Sequence, residues 1–432
     1  MLGCLTAPAV SARAQPLETG LVDTENTTSA QESDPDKRAS EKRPRGWHFR
    51  WTDHPALWHG RNTTMAFTAR FQGDAYTPNA AAGGSGFNLA RRRIGTEGRI
   101  AGLIDFELDY ELGDDRPWRD AYLEYRQIDR ARVRAGQFKL PFSLDENTGA
   151  ANLDFVHRSR AASQLAPGRD PGVLVSGRVL RTLVRYEAGV FGRDGANART
   201  RNEERVHGGT TVAGRVTVQP FRGTRPALQD LQVGIAVTGS EVPEGLPALR
   251  GRTALDDTFF RPDVWVQGHR RRTGVELRWR PGPASLKAEY MRVTTERLGQ
   301  SVENTDLPPL VGTGWYISGT WLVTGEAKRD GLVSPRRPLF RGIGAVELAL
   351  RVEGLTFGSR ASTIHQPSTS PRAENILGNS LRGTTLGLNW FPFRTLKIQA
   401  NLIRESLARP DLGPVPSQPA YWSRVLRFQL AI

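Results

Sequence analysis

The chain has 432 residues, a formal net charge of +14 and 38% hydrophobic residues, enough length for one large core or barrel. It contains no run of about eighteen apolar residues, which excludes a transmembrane helix. Its single cysteine, Cys4, excludes a disulfide framework and a thiolate metal site. The basic balance is carried mostly by arginine and suits nucleic acid, an anionic surface or small anionic solutes; the plain alternative is a soluble basic protein.

Residues 1–15, MLGCLTAPAVSARAQ, read as the remnant of a secretory signal, with a short apolar stretch and a small-residue site at Ala12, Arg13 and Ala14. Residues 16–60 are expected to be a disordered periplasmic segment, rich in charged and hydroxyl residues. From Arg61 to Ile432 the texture becomes period-two alternation, the pattern of strands with two unlike faces. Phe67, Ala69 and Phe71 alternate with Thr68, Arg70 and Gln72. Ile104, Phe106, Leu108, Tyr110 and Leu112 alternate with Asp105, Glu107, Asp109 and Glu111. The same texture recurs through Leu348 and Leu350, Leu386 and Leu388, Ile398 and Leu402, and closes on Leu426, Phe428 and Leu430.

About sixteen such segments are present, each near the length that crosses a bilayer at a tilt, and helical periodicity is confined to residues 152–166. Short connections alternate with long ones, and aromatic residues such as Trp279 and Trp390 sit beside the short ones. The pattern predicts an all-β fold: a transmembrane antiparallel β-barrel in the outer membrane of a Gram-negative-type bacterium. A soluble sandwich or a propeller competes, but no repeat of about forty residues is visible. The connection between Thr324 and Gly344 is too long for a turn on the short side.

One long connection is singled out. The strand RVRAGQF leaves at Lys139 and does not return until the strand GVLVSGRV at Gly172, and long loops of this kind are usually functional. Residues 139–171 are expected to fold inward as a constriction, with Lys139, Arg158, Arg160 and Arg169 presenting positive charge and Arg132 and Arg134 on the strand that feeds it. On a later strand Arg270, Arg272, Arg278 and Arg280 share one parity and predict a column of guanidinium groups lining the pore. The competing view of every one of these residues is salt bridges that stiffen the wall. The acidic run Asp105 to Glu111 predicts a transverse field, acidic on one wall and basic on the other. No metallohydrolase, nucleophile-elbow or phosphate-loop motif occurs, the seven histidines are scattered, and the arginines fall opposite the aromatics; these features speak against an enzyme, a metal site, a cofactor and nucleic-acid binding. A structural or adhesive barrel, or an outer-membrane hydrolase assembled by folding, are the other readings.

The blocks RRRIGTEGRIAGLIDFELDYELG, WRDAYLEY, RVRAGQFKLPFSLDENTGAANLDFVHRS and APGRDPGVLVSGR, followed by GWYISGTWLVTGE and TTLGLNWFPFRTLKIQANLIRE, resemble the phosphate-selective porin O and P family in the same order. The resemblance implies a sixteen-stranded outer-membrane barrel, a homotrimer, with the third external loop folded inward and basic lumen residues that select small anions such as phosphate.

Overall fold

The computed structural model describes residues 46–432 apart from 52, 53, 61, 79–84, 116, 129, 196–208, 248, 262, 360–371, 373, 375 and 413–417. The expectations for residues 1–15, and for 16–60 up to residue 45, lie outside the described residues. The strands are β1 (Trp47–Trp51), β2 (Pro55–His59), β3 (Thr63–Pro78), β4 (Gly86–Ile100), β5 (Ile104–Glu111), β6 (Trp118–Ile128) and β7 (Ala131–Lys139). Then come β8 (Arg169–Val179), β9 (Val184–Phe191), β10 (Thr211–Val218), β11 (Gln232–Gly245), and the short β12 (Gly251–Arg252) and β13 (Thr258–Phe260). The rest are β14 (Val266–Trp279), β15 (Ala284–Arg297), β16 (Leu307–Leu322), β17 (Ala345–Ser359), β18 (Asn379–Phe393), β19 (Leu396–Leu407) and β20 (Ala420–Ala431).

Sixteen of these, β3 to β11 and β14 to β20, pair antiparallel with their neighbours, and β20 returns to pair with β3 from Ala431↔Arg70 to Ser423↔Pro78. The sheet is therefore closed, as a membrane-spanning sheet must be to leave no unpaired edge in lipid. Burial follows parity and is inverted relative to a soluble protein. Leu350 and Leu386 are 47% and 53% exposed, whereas Glu347 and Asn389 are fully buried. The apolar faces read from the sequence point to lipid and the polar faces to the lumen.

Residues 101–103, 180–183, 280–283 and 394–395 form tight turns on one rim, taken as periplasmic by the rule for such barrels. Two features on that rim depart from the sequence reading. Residues 47–59 are a hairpin, β1 with β2, and β2 extends the wall by pairing with the start of β3. The segment thought disordered thus carries ordered strands at its end, because Trp47, Phe49 and Trp51 alternate with His48 and Arg50 over too few residues to stand out. The unexplained connection, residues 323–344, turns into the periplasmic mouth, where Val333 packs with Leu322, Ala345 and Phe391.

Candidate functional site: the channel

The third external connection, residues 140–168, lies inside the barrel against the lumen faces of β14 to β20. It contains two short helices, α1 (Leu144–Asn147) and α2 (Arg160–Leu165), each opened by a serine side chain that accepts from the backbone three residues on. The floor beneath α2 is glycine. A Cβ on Gly314 would stand 2.7 Å from that of Ala161, and one on Gly312 would stand 3.0 Å from Leu165. Small residues on β16 therefore let the helix seat. Phe142, Ala161 and Leu165 join Phe259, Phe260 and Phe357 in a buried apolar cluster, with β12 and β13 folded in above.

The irregular backbone of this loop is satisfied by side chains from the wall, the condition for such backbone at membrane depth. Glu289 accepts from the Leu144 and Asp145 amides at 2.6 and 2.9 Å. Asn389 donates to Asp154 O at 2.8 Å, Lys397 to Ala151 O and Leu153 O at 2.9 Å each, and Arg351 to His157 O at 2.9 Å. The Asp154 carboxylate receives Lys287 and Lys328, each at 2.7 Å. Lys328 belongs to the 323–344 connection and also pairs with Glu347, so this segment holds the loop from below. Burial works to raise the Asp154 pKa; the two ammonium groups outweigh it and hold the carboxyl well below the usual range.

Opposite the loop, the lumen faces of β4 to β9 remain open. A cavity of about 1870 Å³ runs from the periplasmic rim at Arg50, Trp58 and Ile432 up to the loop. Nineteen lysines and arginines line it against nine aspartates and glutamates. The transverse field expected from sequence is not what forms. Opposite charges interleave on one wall: Arg93 bridges Asp109 at 3.2 Å and Glu111 at 2.9 Å, and Arg99 reaches Asp105 at 2.8 Å. Cross-strand partners on β4 and β5 neutralise one another before any wall-sized field can build.

Of the residues singled out from sequence, Arg134, Lys139, Arg158, Arg169, Arg278 and Arg280 border the cavity. Arg134 pairs with Glu124 at 2.7 Å and lies over the Tyr122 ring. Lys139 and Arg158 share Glu146 at 3.6 and 3.2 Å, and Arg169 clamps Asp120 at 2.6 Å. Arg278 and Arg280 both meet Asp330, at 3.4 and 2.6 Å. Four residues lie elsewhere. Arg132 sits at the rim, 3.5 Å from Glu124. Arg160 is buried and donates to Thr253 O at 2.9 Å. Arg270 and Arg272, each 1% exposed, converge on Asp194, and Arg272 also donates to Leu165 O at 2.9 Å. Arg270, Arg272, Arg278 and Arg280, on and just past β14, thus do not form one column: the upper two fasten an external loop and α2, and the lower two face the cavity.

The sequence reading passed over Arg91, Arg93, Lys287, Lys328 and Lys397, which also line the cavity. Parity in the run Arg91, Arg93, Glu97, Arg99 was the available signal. The Arg91 side chain makes no hydrogen bond or ion pair among the described residues, and its Nε is buried without a partner. Glu107, Asp109 and Asp120 approach one another within 4.8 Å. Each is already engaged, by the Tyr122 hydroxyl, Arg93 and Arg169 respectively, which leaves no open ligand set for a cation.

The fold is shared with solved outer-membrane proteins. In vitro folded OmpT of Vibrio cholerae superposes with a TM-score of 0.55 at 10% identity over 88% of this chain and 100% of that one. The DcaP channel of Acinetobacter baumannii gives 0.53 at 9% identity, covering 87% and 99%. OmpF of Salmonella typhi gives 0.50 at 9%, covering 86% and 98%. None of the curated sequences searched matches the chain. The family model for phosphate-selective porin O and P matches residues 65–409, from the first barrel strand to just past β19. The chain belongs to the phosphate-selective porin O and P family and is an outer-membrane porin, a channel and not an enzyme.

Proposed function

We propose that the channel selects small inorganic anions such as phosphate and works as a homotrimer. The observation that carries this reading is the lining of nineteen basic against nine acidic side chains. In a narrow, low-dielectric passage such an excess raises the local concentration of anions and lowers that of cations. Lys139, Arg158 and Arg169 form the cationic side of the narrow region together with Arg91, and Arg134, Arg278 and Arg280 continue it toward the periplasm. Arg132, Arg160, Arg270 and Arg272 hold the wall and loops that shape this path. The trimer rests on the family and on the OmpT structure from Vibrio cholerae described as a trimer form.

Reversal potentials across a KCl gradient in planar bilayers test the proposal. Chloride is expected over potassium, and added phosphate is expected to block chloride current. A potassium-preferring reversal potential would overturn anion selection; chloride preference without block would remove phosphate alone.

A further inference from the structure

The outer wall carries a feature that transport does not use. On β18, β19 and β20 the positions facing outward are apolar from the periplasmic rim upward: Trp390, Leu388 and Leu386, then Ile398 and Leu402, then Leu430, Phe428 and Leu426. Each row then meets an exposed arginine: Arg382 on β18, Arg404 on β19 and Arg424 on β20. In register, Arg404 stands opposite Thr384 and Trp422, which makes Arg382 and Arg424 its diagonal neighbours across the two pairings. Diagonal positions lie about 7–8 Å apart, so the three guanidinium groups form one oblique row.

Three like charges at this spacing repel unless something anionic lies among them. Among the described residues the protein supplies nothing. None of the three makes a side-chain hydrogen bond or ion pair among the described residues. The outward positions of β17 to β20 and of β3 carry no aspartate or glutamate.

Their height identifies the partner. Antiparallel strands rise about 3.4 Å per residue, and a tilt of about 40° leaves about 2.6 Å of height. Arg404 and Arg424 therefore stand about 20 Å above the periplasmic rim and Arg382 about 30 Å, around the top of an apolar band about 25 Å tall. An arginine facing lipid is costly at mid-bilayer and nearly free at the interface, where its long side chain extends toward the headgroups. The planar fork of a guanidinium matches phosphate oxygens, and the apolar rows below suit acyl chains.

We infer that Arg382, Arg404 and Arg424 form a binding site on the outer wall for the phosphate-bearing headgroup of an anionic glycolipid in the outer leaflet.

The test uses the full-length channel in detergent, loaded with phosphorylated lipid A or with its dephosphorylated form. After size-exclusion chromatography, retained lipid is measured by mass spectrometry. The parent channel is expected to keep the phosphorylated form preferentially. The triple variant R382Q/R404Q/R424Q is expected to hold it about a hundredfold more weakly, from about fivefold per basic residue at an anionic surface. Single-channel conductance and reversal potential should be unchanged in the variant, since no substituted residue lines the channel; this also shows that the barrel has folded and separates the inference from anion selection. Equal retention of the two lipids, undiminished retention by the variant, or displacement by millimolar inorganic phosphate would overturn the site. Dissociation of the oligomer in the variant, without selective lipid loss, would overturn it too and assign the row to a subunit contact.

Discussion

Replacing Asp154 by asparagine removes the charge at the point where the inward loop meets both the wall and the periplasmic connection. The carboxylate is buried and its two oxygens each accept from a lysine at 2.7 Å, Lys287 from β15 and Lys328 from residues 323–344. Removing one side of a buried ion pair costs about 3–5 kcal/mol, and asparagine keeps one acceptor oxygen, so about 3 kcal/mol is expected. The loop stays inside the barrel, because Lys397, Arg351, Arg427 and Asn401 still hold residues 151, 153, 156 and 157. What changes is the population in which the stretch around Asp154 has lifted from the wall, by about a hundredfold for 3 kcal/mol. Single-channel recordings in planar bilayers should show this as excess open-channel noise and more frequent brief excursions. The lumen also gains one unit of positive charge, so the reversal potential should move toward stronger anion preference. A quiet trace with the parental reversal potential would refute the view that this pairing holds the loop.

Other outcomes follow from the same geometry. Arg91→Gln should weaken chloride preference more than Arg93→Gln, since Arg93 is held in direct ion pairs by Asp109 and Glu111 and the Arg91 side chain makes none among the described residues; equal effects in reversal-potential measurements would argue otherwise. Arg272→Ala should destabilise the barrel by about 3 kcal/mol, because buried Asp194 loses both hydrogen bonds from Arg272 and keeps only its pairing with Arg270, read as a lower temperature for the heat-induced gel shift, whereas R278A/R280A should leave that temperature nearly unchanged and reduce anion preference. Deleting residues 149–166 should raise conductance while the barrel still inserts; unchanged conductance would mean that the loop does not limit the current. Because the folded Asp154 pKa is depressed, its pairing stabilises above the unfolded carboxylate pKa of about 3.9 and is lost only as pH falls through the lower folded value. Parent channels should therefore stay quiet from pH 7 to about pH 4, and His157, kept neutral by burial and by Arg160, Arg427 and Arg351, adds no switch in that window.

The barrel was legible because alternation is imposed on every strand by its two environments, and nothing along Ile104 to Leu112 or Leu426 to Leu430 competes with it. Loop lengths gave the orientation, and the thirty residues after Lys139 stood out by length alone. Which guanidinium groups face solute was not legible. Partners come from distant segments: Asp194 lies 76 and 78 residues from Arg270 and Arg272, and Asp330 lies 50 from Arg280. Parity assigns a side chain to the lumen but does not say whether a loop fills that part of the lumen. The 323–344 connection was opaque for the same reason, since its lysine is explained only by Asp154 and Glu347, which come from two other regions of the chain.

The closure of the barrel between β3 and β20 bears on how the molecule is assembled. The seam joins residues over 350 positions apart: Asp74 accepts from two Arg427 nitrogens at 2.6 Å, and Gln72 donates to Gln429 at 2.7 Å. Until the final twelve-residue strand arrives, the sheet has two open edges whose amides and carbonyls find no partner in lipid, at several kcal/mol for each group left bare. The inward loop crosses this join from inside: Gln72 on one bank donates to Ala150 O, Gln429 on the other to Ala151 O, and Arg427 to Val156 O. The contacts at Ala150 and Ala151 can both form only once both banks are in place, and by forming they stitch the banks together. The element that narrows the pore is thus also a latch on the last step of membrane insertion, and weakening its grip at residues 150 and 151 should slow closure before it alters any current.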